Sequence, residues 1–154
     1  MIAFLKSRPE VKTVIFSAIA GGARDAKIDP VAGYVAAWKK LPPSVERIIV
    51  IRDTPQVVGD TDDCITKAIA AKRQAGLACR VRRASALKPD PEVAAAKELP
   101  DRNITVADMT RFICDSKWCE PVIGGVLVYK DQNHLTEVYG KTLAPYLARA
   151  IDKG

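Results

Sequence analysis

The sequence predicts an α/β fold with a parallel sheet, because apolar β-branched runs alternate with helix patterns that carry their own start signals. The first run, within residues 11–20, is Thr13-Val14-Ile15-Phe16, closed by Gly21 and Gly22. The second is residues 47–51, with Ile-Ile-Val-Ile at its centre and Arg52-Asp53-Thr54-Pro55 as its exit. Neither run alternates polar with apolar side chains, as expected of strands covered on both faces. Between them Asp29 caps and Pro30 opens a helix whose Val31, Val35 and Trp38 share one face, and Pro42-Pro43 stops it.

Farther on, the pattern predicts a helix over 63–74 ending near Gly76, another over 91–98, and a third strand at Ile104 and Val106, reaching toward Met109. The chain then changes character. Residues 114–119 make a tight loop, and Val122-Ile123, Gly124-Gly125 and residues 126–129 form a hairpin on a Gly-Gly turn. Residues 131–135 are a short turn. Thr136 opens a last helix with Tyr139, Leu143, Leu147 and Ile151 apolar, and Pro145 inside it removes one backbone hydrogen bond.

A chain of 154 residues, 48% hydrophobic and 27% charged, is expected to form one domain over residues 1–154 with a core of its own. It has no apolar run of membrane-spanning length, and residues 1–8 are too short for a signal peptide. The net charge of +6 is concentrated between Cys64 and Lys88, where seven bases meet no Asp or Glu. A solvated helix face with a basic loop explains such a run, and an anionic polymer is the functional alternative. Nucleic acid is not expected, because no aromatic residue lies in the run and no nucleic-acid motif accompanies it.

Four cysteines permit three pairings, and Cys64 with Cys79 and Cys114 with Cys119 close the shortest loops. Buried reduced thiols are the alternative in a cytosolic setting. No metal is expected, since paired CxxC motifs and a second histidine are lacking. Asp131 and His134, the single histidine, lie three residues apart in a polar turn just past an apolar strand. That spacing lets a carboxylate orient an imidazole and stabilise its charged form, the arrangement of a general base. Asp53 lies in a comparable position after the second strand, where capping explains it equally well.

The stretch from Asp108 to Leu147, DMTRFICDSKWCEPVIGGVLVYKDQNHLTEVYGKTLAPYL, resembles the C-terminal end of the SGNH-hydrolase-like domain fused to acyltransferase-3 membrane proteins. The resemblance rests on Cys114 and Cys119, the Gly-Gly hairpin, the DxxHL turn and the LAP of the last helix. It continues upstream through Asp53-Thr54-Pro55, Cys64, and Cys79 with its basic segment. It implies a three-layer flavodoxin-like fold and O-acyl transfer, of acetyl groups foremost, or ester hydrolysis on a cell-surface polysaccharide or lipopolysaccharide. No cofactor is implied, the glycan and a membrane acyltransferase domain are the implied partners, and the implied compartment is extracytoplasmic.

Carried over, His134 is the base and Asp131 its orienting partner. The GDS-type block that bears the family's serine has no counterpart here, so the domain is expected to be incomplete on its N-terminal side. Ser17 is the candidate nucleophile within the chain, although it lacks a GxSxG setting. The segment after it reads SAIAGG without the family's GxND block, which leaves the Gly21 and Gly22 region to supply oxyanion donors. In the strand order 2-1-3-4-5 the strand around Ile15 is then left with an open apolar edge, a surface for self-association or for a complementing strand. A catalytically inactive remnant or accessory glycan-binding module is the competing function.

Overall fold

The computed structural model describes residues 1–21 and 29–152. The chain divides into two compact units, each drawn from separate stretches: Met1–Asp53, Pro89–Asp108 and Arg149–Gly154 in the first, Thr54–Lys88 and Met109–Ala148 in the second.

The first unit is built on a parallel sheet. Strands β1 (Thr13–Phe16), β2 (Arg47–Ile51) and β4 (Ile104–Ala107) lie in the order β1-β2-β4, with Val14, Ile48 and Ile104 in one row across it. Helices α2 (Pro30–Lys39) and α6 (Pro91–Lys97) pack together over the face that carries Val14, Phe16, Ile48 and Val50. Trp38, fully buried, is the largest side chain in that core and makes tilted ring contacts with Phe16 and Tyr34. The short α1 (Ile2–Lys6) adds Leu5 to the same cluster.

Both long helices of this unit start as the sequence dictates. Asp29 accepts a hydrogen bond from the Val31 amide, and Asp90 accepts from the amides of Glu92 and Val93, each with proline in the first helical position where no N–H is wasted. β1 stands at the edge of the sheet, and Ile15 on it is 52% exposed. This parallel α/β arrangement is the architecture expected of the fold class.

The second unit is held by short elements and two crosslinks. Here the structure corrects the helix expected over 63–74: α3 spans Thr61–Ala70, the chain turns through Lys72 at φ +53°, and a separate α4 (Ala75–Ala78) follows. Gly76 therefore lies inside a helix rather than ending one. The reason is packing: a Cβ at Gly76 would come within 2.3 Å of the Val122 carbonyl oxygen, so the close approach of α4 to the backbone at Val122 requires glycine.

Strand β3 (Val81–Arg82) leads into α5 (Arg83–Ala86) and pairs antiparallel with β5 (Trp118–Cys119). Strands β6 (Val122–Ile123) and β7 (Val126–Leu127) form the predicted hairpin, with Gly124 at φ +58° and Gly125 at φ +79°. A 3-10 turn occupies Thr110–Phe112, so Met109 lies beyond β4 rather than in it. The last helix, α7 (Glu137–Asp152), continues through Pro145 and begins with Thr136 Oγ1 accepting the Tyr139 amide. Tyr129, Val128, Tyr139, Leu143 and Ile113 fill the core of the unit. Cys64 bonds to Cys79 and Cys114 to Cys119, as the short-loop pairing predicted.

Candidate active site

The turn that carries Asp131 and His134 lies in the second unit, directly after the hairpin. An isolated antiparallel bridge between Tyr129 and Leu135 closes its base, and the Lys130 amide donates to the His134 carbonyl at 3.0 Å. From the exit of β2 the Thr54 hydroxyl donates to the Asn133 carbonyl at 2.8 Å, and the Val57 amide donates to the Gln132 carbonyl at 2.8 Å. The turn is thus fixed at four points by backbone groups and one hydroxyl.

Asp131 organises its interior. One carboxylate oxygen accepts the amides of Asn133 (3.0 Å) and His134 (2.8 Å), and the other lies 2.8 Å from His134 Nδ1. A side chain one methylene long can bond its own backbone two and three residues on, and this folds the loop so that its second oxygen meets the imidazole. The two amides, the His134 amide first, hold the Asp131 carboxyl down at about 2, against an ordinary value of 3.8.

The carboxylate therefore stays ionised across the working range of a histidine and favours the tautomer with its proton on Nδ1, which leaves Nε2 as the proton acceptor. The ring is open to solvent at 67% exposure, with Asp131 at 45%. An imidazole packed into a core could not meet a substrate hydroxyl, whereas this one can. A cleft of about 210 Å³ adjoins the turn, lined by Val57, Gly59, Thr61, Lys130, Asp131 and Gln132 among others.

The remaining candidates lie in the first unit. Ser17 is exposed, one residue past the end of β1, and Gly21 takes φ +73°, a conformation natural to glycine. Gly22 lies outside the described residues. The amide of Ala20, next to Gly21, donates to Asp53 Oδ2 at 2.8 Å. Asp53 in turn donates its own amide to Asp90 Oδ2 at 3.0 Å, so Asp90, only 8% exposed, accepts three backbone amides at once.

This relay from the segment after β1 through the β2 exit to the start of α6 was not readable from the sequence. The Asp90-Pro91 pair was its one local signal, and that pair announces a helix cap, not the bond to residue 53. Gly21, Pro30, Val31 and Asp90 help to line a cleft of about 320 Å³ in this unit. Among the described residues no three His, Cys, Asp or Glu side chains are grouped so as to hold a metal ion.

Comparison with known families matches residues 1–149 to the SGNH domain (fused to AT3 domains). No curated protein and no solved structure gives a significant match. Among the described residues no helix is long and apolar enough to cross a membrane, and the two disulfides fit an extracytoplasmic compartment.

Proposed function

Because this chain belongs to the SGNH domain family, whose members are fused to AT3 domains and whose chemistry is of the acyl-transfer and esterase type, we propose that it serves O-acyl transfer or ester hydrolysis on a cell-surface polysaccharide or lipopolysaccharide, with His134 as general base and Asp131 as its orienting partner. Acetyl is the group proposed to move. The observation that carries the reading is the 2.8 Å contact between Asp131 and His134 Nδ1, within a turn where the same carboxylate is clamped by two amides.

In this mechanism Nε2 of His134 takes the proton of a serine hydroxyl as its oxygen attacks the acyl carbonyl carbon. The charge that forms on imidazole faces Asp131, already ionised and already in place, so little reorganisation is needed. As the tetrahedral intermediate collapses, Nε2–H returns the proton to the departing alcohol and the acyl group stays on serine. A sugar hydroxyl or water, deprotonated by the same nitrogen, then releases it. The choice between the last two separates transfer from hydrolysis.

The serine is proposed to come from a block outside this sequence, making residues 1–154 one SGNH-like domain that needs an added segment on its N-terminal side. The absence of a GDS block from the sequence supports this, as does Ile15, exposed on β1, whose outer edge pairs with no strand among the described residues. A second copy of the chain is the other partner such an edge can recruit. Ser17, with Gly21 behind it as a donor, is the internal alternative. Tethering through the fused membrane acyltransferase would hold the domain at the cell surface.

Turnover of a chromogenic acetyl ester by the chain complemented with a GDS-bearing N-terminal segment, as wild type, His134→Ala, Asp131→Asn and Ser17→Ala, tests the reading. The expected result is a loss of about 10²-fold or more for His134→Ala, with Asp131→Asn falling in the same direction. Unchanged turnover in Ser17→Ala places the nucleophile elsewhere. Equal rates for wild type and His134→Ala would overturn the catalytic reading and leave a binding module.

A further inference from the structure

From the β3–β5 ribbon we infer a docking site for an anionic saccharide, one bearing uronate or phosphate groups, centred on Arg80, Arg82 and Trp118. The inference deepens the proposed function by naming the class of glycan that the domain holds.

In the ribbon, Arg82 lies opposite Trp118 and Val81 opposite Cys119. Side chains alternate across a strand, so Val81 and Cys119 turn into the core while Arg82 and Trp118 share the outer face. Arg80, two residues before Arg82, returns to that face. Both guanidinium groups stack on Trp118, with their central carbons 4.3 Å and 4.1 Å from its ring centroid.

Like charges two residues apart repel one another, and the shared indole offsets part of that cost by offering each cation a π face. Stacking also occupies the flat side of a guanidinium and leaves its N–H edge facing outward, the geometry that grips a carboxylate or phosphate through two parallel bonds. Among the described residues neither Arg80 nor Arg82 forms a salt bridge with a carboxylate.

The surroundings add charge of the same sign. Arg83 Nη1 donates to the Asp115 carbonyl at 2.9 Å, which holds a third guanidinium beside the ribbon, and Lys117 precedes Trp118 in the adjoining turn. Asp115, in the adjoining turn, accepts the amides of Lys117 and Trp118, both at 2.6 Å. The Asp115 carboxylate is thus committed to shaping the turn, while Arg80, Arg82, Arg83 and Lys117 supply the positive charge of the ribbon and its flanks. The Cys64–Cys79 bridge ends immediately before Arg80 and anchors the basic segment.

Other polyanions fit less well. With its indole covered by arginines the ribbon offers no face for base stacking, and its apolar side chains point inward rather than toward a bilayer. An extracytoplasmic setting, which the disulfides favour, presents glycans rather than nucleic acid.

The test is calorimetric titration of the full chain with oligogalacturonate and with the same oligomer fully methyl-esterified. Wild type should bind the free acid and lose most of that binding on esterification or at high salt. Arg80→Gln with Arg82→Gln should weaken binding by about tenfold or more, and Arg80→Lys with Arg82→Lys, which keeps charge but not the planar fork, should fall between. Matching thermal melts show that the variants fold, and the lysine pair carries the test should the glutamine pair not fold.

His134→Ala should bind as wild type does, so loss of catalysis and loss of docking are read separately. Wild-type affinity in the glutamine pair, or equal binding of the esterified oligomer, would overturn the proposal. So would tighter, arginine-dependent binding to single-stranded DNA or to phosphatidylglycerol vesicles, which would reassign the ribbon to nucleic acid or membrane.

Discussion

Replacing Asp90 by alanine should destabilise the first unit far more than its position at the start of a seven-residue helix suggests. Asp90 Oδ1 accepts the amides of Glu92 (2.9 Å) and Val93 (3.1 Å), and loss of such a cap costs about 1 kcal/mol. Its Oδ2 accepts the Asp53 amide at 3.0 Å in a part-buried setting, and stranding that donor adds about 1–3 kcal/mol. The expected total for Asp90→Ala is about 2–4 kcal/mol.

Asp29 is the internal control. It too precedes a proline at a helix start, but it caps one amide, Val31, at an exposed site, so Asp29→Ala should cost about 1 kcal/mol. Asp90→Asn, which retains a capping oxygen but can turn an N–H toward the Asp53 amide, should lie between them. Urea unfolding followed by tryptophan emission reads this unit through Trp38, buried in its core. With a slope of about 2 kcal/mol/M, Asp90→Ala should lower the midpoint by about 1–2 M. Equal midpoints for Asp29→Ala and Asp90→Ala would refute the reasoning, because the bond to Asp53 would then contribute nothing.

Three further outcomes are expected. The amide resonances of Asn133 and His134 should titrate with Asp131 at about 2 rather than at 3.8; because the folded value is depressed, the order it gives the turn is complete above pH 3.8 and is lost as pH falls through about 2, and a midpoint at 3.8 would contradict the clamp. Gly76→Ala should destabilise the second unit by about 1–3 kcal/mol in denaturant melts, since the new methyl meets the Val122 carbonyl oxygen and Glu120 Oε2, and a neutral result would mean that α4 can move away freely. Cys64→Ser with Cys79→Ser frees a loop of 15 residues and should cost about 3 kcal/mol in the same assay, with no added effect of reductant on that variant beyond what the Cys114–Cys119 bridge contributes.

What the sequence disclosed follows the range over which its signals act. β2, the cap of α2 and the extent of α6 are written in short runs of consecutive residues, and they were legible to within a residue. The Asp131–His134 pair was equally legible, because the contact spans a single turn. The break between α3 and α4 was hidden, since Lys72 at positive φ carries no glycine or proline to mark it. The β3–β5 ribbon escaped notice for a different reason: strands of two residues are too short for alternation to register, and Trp118 lies more than thirty positions from the arginines it supports. The Asp53–Asp90 bond was invisible because both ends satisfy ordinary local roles.

The order in which the chain visits its two units bears on how it is made. The first unit takes its third strand from residues 104–107 and residues 149–152 from the end of the last helix, where the Ile151 carbonyl accepts a bond from the Arg47 guanidinium. A ribosome delivers the strand only after Thr54–Lys88 of the second unit has emerged, and the helical turn only after Met109–Ala148 has followed. Strictly vectorial assembly of this unit is therefore interrupted: β1 and β2 wait for their third neighbour while Thr54–Lys88 and α6 are synthesised. Removing residues 149–152 should accordingly weaken the first unit.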